Sequence, residues 1–253
     1  MQRPDNRKKK RADVLMVEQG LTDSRPRAQA LILAGKVYVD HKRIDKAGQL
    51  LKADTQLHLR GEDHPYVSRG GVKLAGAITG LDLDLDGKVA ADFGASTGGF
   101  TDCLLKHGVS RVYAIDVGYG QLAEKLRTDA RVINLERTNA RYIGAGDLPE
   151  PMDLVVIDAS FIGLAKLLPA AHAILKPNGQ VIALVKPQFE VGRDNVGRGV
   201  VHDDQLRQQA VEEVKQAAVQ LGYVDLGQVD SVLAGPKGNR EIFLHLEKSG
   251  GSS

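Results

Sequence analysis

The sequence predicts an α/β chain of two modules: a small basic α+β module, then a mostly parallel seven-stranded sheet with helices on both faces. Short, wholly apolar runs recur between helical stretches after residue 66, as a parallel sheet covered on both faces requires. Charge is divided as well, with 14 Lys+Arg against 7 Asp+Glu over residues 1–60, and 20 against 25 in the remainder. Between the two lies "RGEDHP", polar, with a Gly and a Pro and no apolar periodicity. The first module is therefore expected to span 1–60, the linker 61–65 and the second module 66–248, with 249–253 expected as a disordered tail.

In the first module, Val14, Leu15, Val17 and Leu21 predict a short amphipathic helix. Ser24 before Arg25-Pro26 reads as an N-cap, opening a second helix that runs to about Gly35. "KVYVD" alternates as a half-buried strand. In the second module, strands are expected in "KVAADFG", "RVYAID", "RVINLE", "MDLVVIDAS", "GQVIALVKPQF", "GYVDLGQVDSV" and "REIFLHLE". Helices are expected near 70–80, 99–107, 120–127, 164–175 and 204–221. No helix separates the last two strands, so they are expected to pair antiparallel at the sheet edge.

Composition narrows the function. The 253 residues are 42% hydrophobic, enough for a packed core, and they include one cysteine and no tryptophan. A disulfide framework and a Cys-rich zinc site are excluded, and Cys103 reads as core packing. The seven histidines lack ligand spacing, so no metal is expected; His202 beside Asp203 and Asp204 reads as part of a helix cap. The longest apolar runs, "DLVVID" and "QVIALVK", have strand length, and the first residues carry charge without an apolar segment. A cytoplasmic location without a membrane span is the expectation, and the basic module predicts a polyanionic partner.

The stretch Gly94-Ala95-Ser96-Thr97-Gly98-Gly99 links a strand to a helix, a geometry that presents free N–H groups to a ligand. A dinucleotide site would place glycine where Ser96 stands. Asp116, at the next strand end, is placed to accept hydrogen bonds from ribose hydroxyls, so a ligand with ribose and without pyrophosphate fits: S-adenosylmethionine. Asp158 and Lys186 also end strands, and Glu241 begins the last one. Strand carboxyl ends surround the ligand crevice of an open α/β sheet. Each residue alone also fits a plain structural role: Lys186 as a side chain snorkelling at a strand end, Lys73 as one charge on a helix, Asp158 as a turn residue.

"RADVLMVEQGL", "SRPRAQALILAGKVYVD" and "GQLLKADTQLHL" together resemble the S4-type RNA-binding domain, apart from the extra aliphatic Leu33 and His41 at a turn position. The resemblance implies RNA contacts from the second helix and the loop after it, through Arg25, Arg27, Lys36, Lys42 and Arg43. In the second module "YVSRGGVKL", "DFGASTGGFTDCLL", "DVGYGQL", "ERTNAR", "DASFI", "LVKPQFE" and "AGPKGNREIFL" resemble the FtsJ-like RNA 2′-O-ribose methyltransferases. Closer still is the TlyA family, which joins an S4 domain to such a methyltransferase and whose members often carry the label hemolysin. "GAST" stands where many FtsJ relatives have "GA(A/S)PGG".

The resemblance implies a Rossmann-like methyltransferase fold with a catalytic tetrad of Lys73, Asp158, Lys186 and Glu241, in which Lys186 accepts the proton or stabilises the oxyanion. Cofactor contacts would come from Gly94, Ser96, Gly98, Gly99, Phe100, Asp116 and Asp158, with Glu136 and Arg137 on the adenine side, and Arg69 would meet RNA. The implied function is S-adenosylmethionine-dependent 2′-O-methylation of cytidine in ribosomal RNA, on ribosomal subunits. The alternatives are a noncatalytic rRNA-binding or assembly factor, and a pore-forming hemolysin, which the missing apolar spans disfavour.

Overall fold

A computed structural model describes residues 9–22, 24–39, 42–59, 64–191, 200–201, 203–235 and 238–250. The expected features at Asp40, His41, Arg60, His202, the linker residues 61–63 and the tail residues 251–253 lie outside these. The chain divides into two compact units, Met1–Asp63 and His64–Ser253.

The first unit runs β1 (Lys9–Arg11), α1 (Ala12–Glu18), α2 (Arg25–Leu33), β2 (Val37–Val39), β3 (Lys42–Arg43), β4 (Leu50–Lys52) and β5 (His58–Leu59). Its core joins Leu15 and Met16 of α1 to Ala28, Leu31 and Ile32 of α2 and to Val37, Ile44 and Leu57. β1 pairs antiparallel with β4, while β2 lies between β3 and β5. Ser24 holds the extended N-cap backbone of α2, but its side chain makes no capping bond. Pro26 supplies the first-turn preference instead, since a missing N–H costs nothing there.

The second unit opens with α3 (Arg69–Gly80), β6 (Val89–Phe93), α4 (Gly99–Lys106), β7 (Arg111–Ile115), α5 (Glu124–Arg127) and β8 (Val132–Leu135). It continues through β9 (Met152–Ile157), α6 (Leu168–Ile174), β10 (Leu175–Val185), α7 (Pro187–Glu190), α8 (Asp204–Gln220), β11 (Tyr223–Asp230) and β12 (Ile242–Lys248). One sheet orders these strands β11-β12-β10-β9-β6-β7-β8. The β10-β9-β6-β7-β8 pairs are all parallel; β12 runs antiparallel to both its neighbours, β10 and β11.

Alternation along the strands divides the core. Ala91, Phe93, Tyr113, Val155 and Ala183 face α6 and α8, while Ala90, Val112, Leu154, Val156 and Ile182 face α3 and α4. Cys103 belongs to the second layer, and burial pushes its thiol up to about 12, where it is inert.

Three expected elements differ in extent. The helix expected over 120–127 is the single turn α5, because the segment before it loops through Gly118 and Gly120. The stretch 164–175 begins as a 3-10 turn, Leu164–Lys166, before α6. The strand expected to reach Phe189 stops at Val185, since Pro187 has no N–H to give a neighbouring strand and starts α7. Asp203 caps α8, accepting from the Gln205 N–H at 2.7 Å.

Candidate active site

β6 is the point where strand order reverses: β7 and β8 follow on one side of it, β9 and β10 on the other. A crevice forms outside the carboxyl ends at such a point. Two cavities occupy it. One of 460 Å³ runs between Ile115, Asp116, Thr138, Asn139, Ile162 and Leu167. The other, of 450 Å³, is bounded by Arg69, Lys73, Thr97, Phe100, Lys186 and Ala234. Both are lined by Gly94, Ser96, Asp158 and Ser160, which form the seam between them.

The glycine turn makes the seam. Gly94 has φ +88°, and a Cβ there would stand 2.9 Å from the Asp158 carbonyl oxygen, so β6 and β9 approach this closely only with a bare residue. Gly98, φ +92°, heads α4 and lines neither cavity; a Cβ would meet Leu126 at 2.2 Å, so its bareness serves the packing of α5. Ser96 carries φ +48° and donates its backbone N–H to Asp116 Oδ2 at 2.8 Å. The Gly118 N–H reaches Asp116 Oδ1 at 2.7 Å. Asp116 is thereby fixed, and each carboxylate oxygen keeps a lone pair for the cavity that it lines.

The four charged residues assemble as two ion pairs. Lys73, on α3, meets Glu241 Oε2 at 2.5 Å, with the lysine 8% and the glutamate 2% exposed. Lys186 Nζ stands 2.6 Å from Asp158 Oδ1 and donates to Ser160 Oγ at 2.9 Å. Lys73, Lys186 and Asp158 line the 450 Å³ cavity; Glu241 is paired to Lys73 and does not itself line it. Glu241 reaches this end of the sheet because β12 runs antiparallel: its first residue, Ile242, pairs with Val185, the last of β10.

Gly99 and Phe100 line the cavity beside Lys73, and Arg69 is exposed at its mouth. Glu136 and Arg137 line neither cavity. Glu136 accepts the Gly120 N–H at 2.9 Å, and that bond holds its carboxyl below its ordinary range. Arg137, at φ +55°, stacks on Tyr119 at 4.2 Å. Both shape the loop, while Thr138, Asn139 and Ala140 face the cavity in their place.

In the first unit, Arg27, Lys42 and Arg43 are exposed and Lys36 is half-buried. Arg43 pairs with Asp45 at 2.6 Å. Arg25 is bound at 3.2 Å to Asp13, a wholly buried acid to which the sequence drew no attention.

Ser160 and Asp92 were also missed. Ser160, in "DAS", was within reach of a reading that looked two residues past each strand-end acid. Asp92 is fully buried on the α4 side of β6, accepts from Thr101 Oγ1 at 2.7 Å, and its other oxygen has no partner among the described residues. Burial, with Asp158 and Asp116 nearby, pushes its carboxyl up to about 7.

The crevice suits S-adenosylmethionine by its own features. Apolar walls from Ile115, Ile162 and Leu167 accommodate a purine, the fixed Asp116 carboxylate offers acceptors for a ribose, and the bare backbone at Gly94 admits the methionine end to the seam. Among the described residues no group of His, Cys, Asp and Glu could hold a metal ion, and no helix is long and apolar enough to cross a membrane.

Comparison with known proteins agrees with this geometry. The FtsJ-like methyltransferase model matches residues 66–248, and the S4 domain model residues 10–57. The chain is 46% identical over 238 residues to the 16S/23S rRNA (cytidine-2′-O)-methyltransferase TlyA of Mycobacterium tuberculosis, spanning 93% of this chain and 89% of that protein. It is 37% identical to Hemolysin A of Brachyspira hyodysenteriae, across 93% of this chain and 99% of the relative. A solved structure from Streptococcus thermophilus, of a protein described as a hemolysin, superposes with a TM-score of 0.75 at 43% identity, covering 96% of this chain and 90% of the other. With its strand order, its two-cavity crevice and these matches, the chain belongs to the FtsJ-like methyltransferases, in the TlyA family that couples them to an S4 domain.

Proposed function

We propose that this protein transfers the methyl group of S-adenosylmethionine to the 2′-hydroxyl of a cytidine in ribosomal RNA, acting on ribosomal subunits in the cytoplasm. One observation carries the reading: Lys186 projects into the second cavity at the seam with the first, held by Asp158 and Ser160. The cofactor supplies a methyl group on a sulfonium, which is displaced in line. When bound, it would accept the hydroxyl oxygen's electron pair at the methyl carbon while sulfur keeps the C–S pair, and the hydroxyl would give up its proton. Much of the rate then comes from alignment.

The residues of the chain divide that work. Lys186 Nζ meets the attacking hydroxyl: as an ammonium it stabilises the developing oxyanion while the proton leaves to water, and only after giving its own proton to solvent does it accept the hydroxyl proton itself. Asp158, at the seam, fixes Lys186 and borders both ligands. Lys73, oriented by Glu241, holds a ribose or phosphate oxygen in the same cavity. Charge-assisted contacts of this kind lock the lysine positions. Arg69 and the basic first unit receive the RNA backbone.

Transfer of tritium from labelled S-adenosylmethionine to rRNA tests the proposal, and reverse-transcription stops at low dNTP locate the nucleotide. Binding of both ligands without transfer would point instead to an assembly factor. Lysis of liposomes by the pure, cofactor-free protein would point to a pore-former.

A further inference from the structure

In the first unit, one buried acid organises two exposed arginines. Asp13 is 0% exposed, yet four side-chain donors from three residues converge on it. Arg11 contributes Nε at 2.9 Å and Nη2 at 3.0 Å, a bidentate fork; Arg25 contributes Nη2 at 3.2 Å and Gln29 its amide at 2.9 Å. The Arg11 fork holds the Asp13 carboxyl well below the usual carboxylate range. The arginines themselves remain about half exposed, at 46% and 54% of their side chains. A guanidinium has five N–H donors, so each keeps several for a ligand.

The surroundings add positive charge. Arg11 lies against bare backbone at Gly48, where a Cβ would stand 3.2 Å from its Nη1. In the β1–β4 ribbon Lys9 faces Lys52 and Arg11 faces Leu50, and alternation places Lys9, Arg11 and Lys52 on one side. Like charges directly opposite one another are destabilising in a sheet, and an anion relieves the repulsion. Lys9 and Lys52 continue, with Lys42, along a 770 Å³ groove. A buried ion pair is by itself weak evidence of a stabilising role. Two forks fixed by one acid leave a net positive, pre-oriented surface, and planar forks suit phosphate oxygens.

We propose that Asp13 is the positioning residue of an RNA phosphodiester receptor whose contacting groups are Arg11 and Arg25. The proposal rests on the RNA-binding reading above and adds a role for an acid within a basic module. Removing an acid raises net charge, so attraction alone predicts tighter RNA binding by an Asp13→Asn variant. Positioning predicts the reverse, because the forks lose their common anchor.

The test uses the full chain and a labelled hairpin from 23S rRNA, with binding followed by anisotropy over a salt series. Asp13→Asn is expected to bind about tenfold more weakly, with a log K against log salt slope shallower by about 1 to 2, as phosphate contacts are lost. S-adenosylmethionine affinity should not change. Equal or tighter RNA binding by Asp13→Asn overturns the proposal. Should that variant unfold the first unit, the charge-conserving pair Arg11→Lys and Arg25→Lys decides: a similar loss supports the receptor, and wild-type affinity and slope overturn it. Failure of the unmodified chain to bind the hairpin removes the RNA reading itself, before any variant is compared.

Discussion

Lys73 and Glu241 lie 168 residues apart in the chain and meet at 2.5 Å in the interior. The glutamate is almost wholly buried, and its second oxygen has no partner among the described residues. Removing Lys73 alone leaves that charge uncompensated, at a cost of about 3–5 kcal/mol. Lys73→Met should therefore lower denaturant stability by that order and abolish methyl transfer. Lys73→Met with Glu241→Leu should regain most of the stability and none of the activity. Equal stability of the single and double variants would show that the pair is not the linkage described.

Lys186→Ala should lose at least about two orders of magnitude of methyl transfer, the range of a general base, while both ligands still bind. Lys186→Arg should fail nearly as badly, since arginine keeps its charge and cannot release the proton. Single-turnover rates beside cofactor calorimetry measure this. Retained activity in the arginine variant alone would assign Lys186 an electrostatic role.

Asp92 gives a pH signature. Its folded-state carboxyl is pushed from 3.8 up to about 7, chiefly by burial. The folded chain then holds the proton longer than the unfolded chain, so this group makes stability fall as pH rises between those values. Asp92→Asn should match the wild type near pH 4 and exceed it above pH 7 by at least about 1.4 kcal/mol, the worth of one pKa unit. Urea midpoints across that range check the sign.

Gly94→Ala should weaken S-adenosylmethionine binding and slow transfer together. A methyl group there has to displace the Asp158 backbone, 2.9 Å away, and is strained at φ +88°. Gly98→Ala should act mainly on stability, because its new methyl strikes Leu126 away from both cavities. Cofactor calorimetry and thermal melting of the two variants separate the effects.

Deleting residues 1–60 removes 14 Lys+Arg against 7 Asp+Glu and should cut rRNA affinity while cofactor binding persists. Undiminished methylation of rRNA by the shortened chain would exclude the basic unit as substrate reader.

The sheet and the crevice were legible because apolar runs and strand-end residues obey local periodicity. Asp116, Asp158 and Lys186 each follow directly on the last residue of a parallel strand, and that position alone directs them to one edge. The pairing of Lys73 with Glu241 was not readable from spacing; resemblance supplied the set, and only the fold brought the two together. Glu136 and Arg137 stood in the expected loop, but the residues after them turn into the cavity, a choice made by backbone dihedrals such as φ +55° at Arg137. Asp13 and Asp92 escaped because an acid within a helix or strand pattern reads as solvent-facing. Their burial depends on Arg11, Arg25 and Thr101 arriving from other turns or elements.

The antiparallel course of β12 also has a bearing on biosynthesis. This strand wedges between β10 and β11, both of which leave the ribosome before it. A nascent chain halted between residues 187 and 240 already carries the glycine turn, Lys73, Asp158 and Lys186, yet Lys73 lacks its counter-ion and the sheet lacks its bridging strand. Chains ending in that window are therefore expected to lack methyl transfer even where the cofactor turn has formed, which activity assays on such truncations would check.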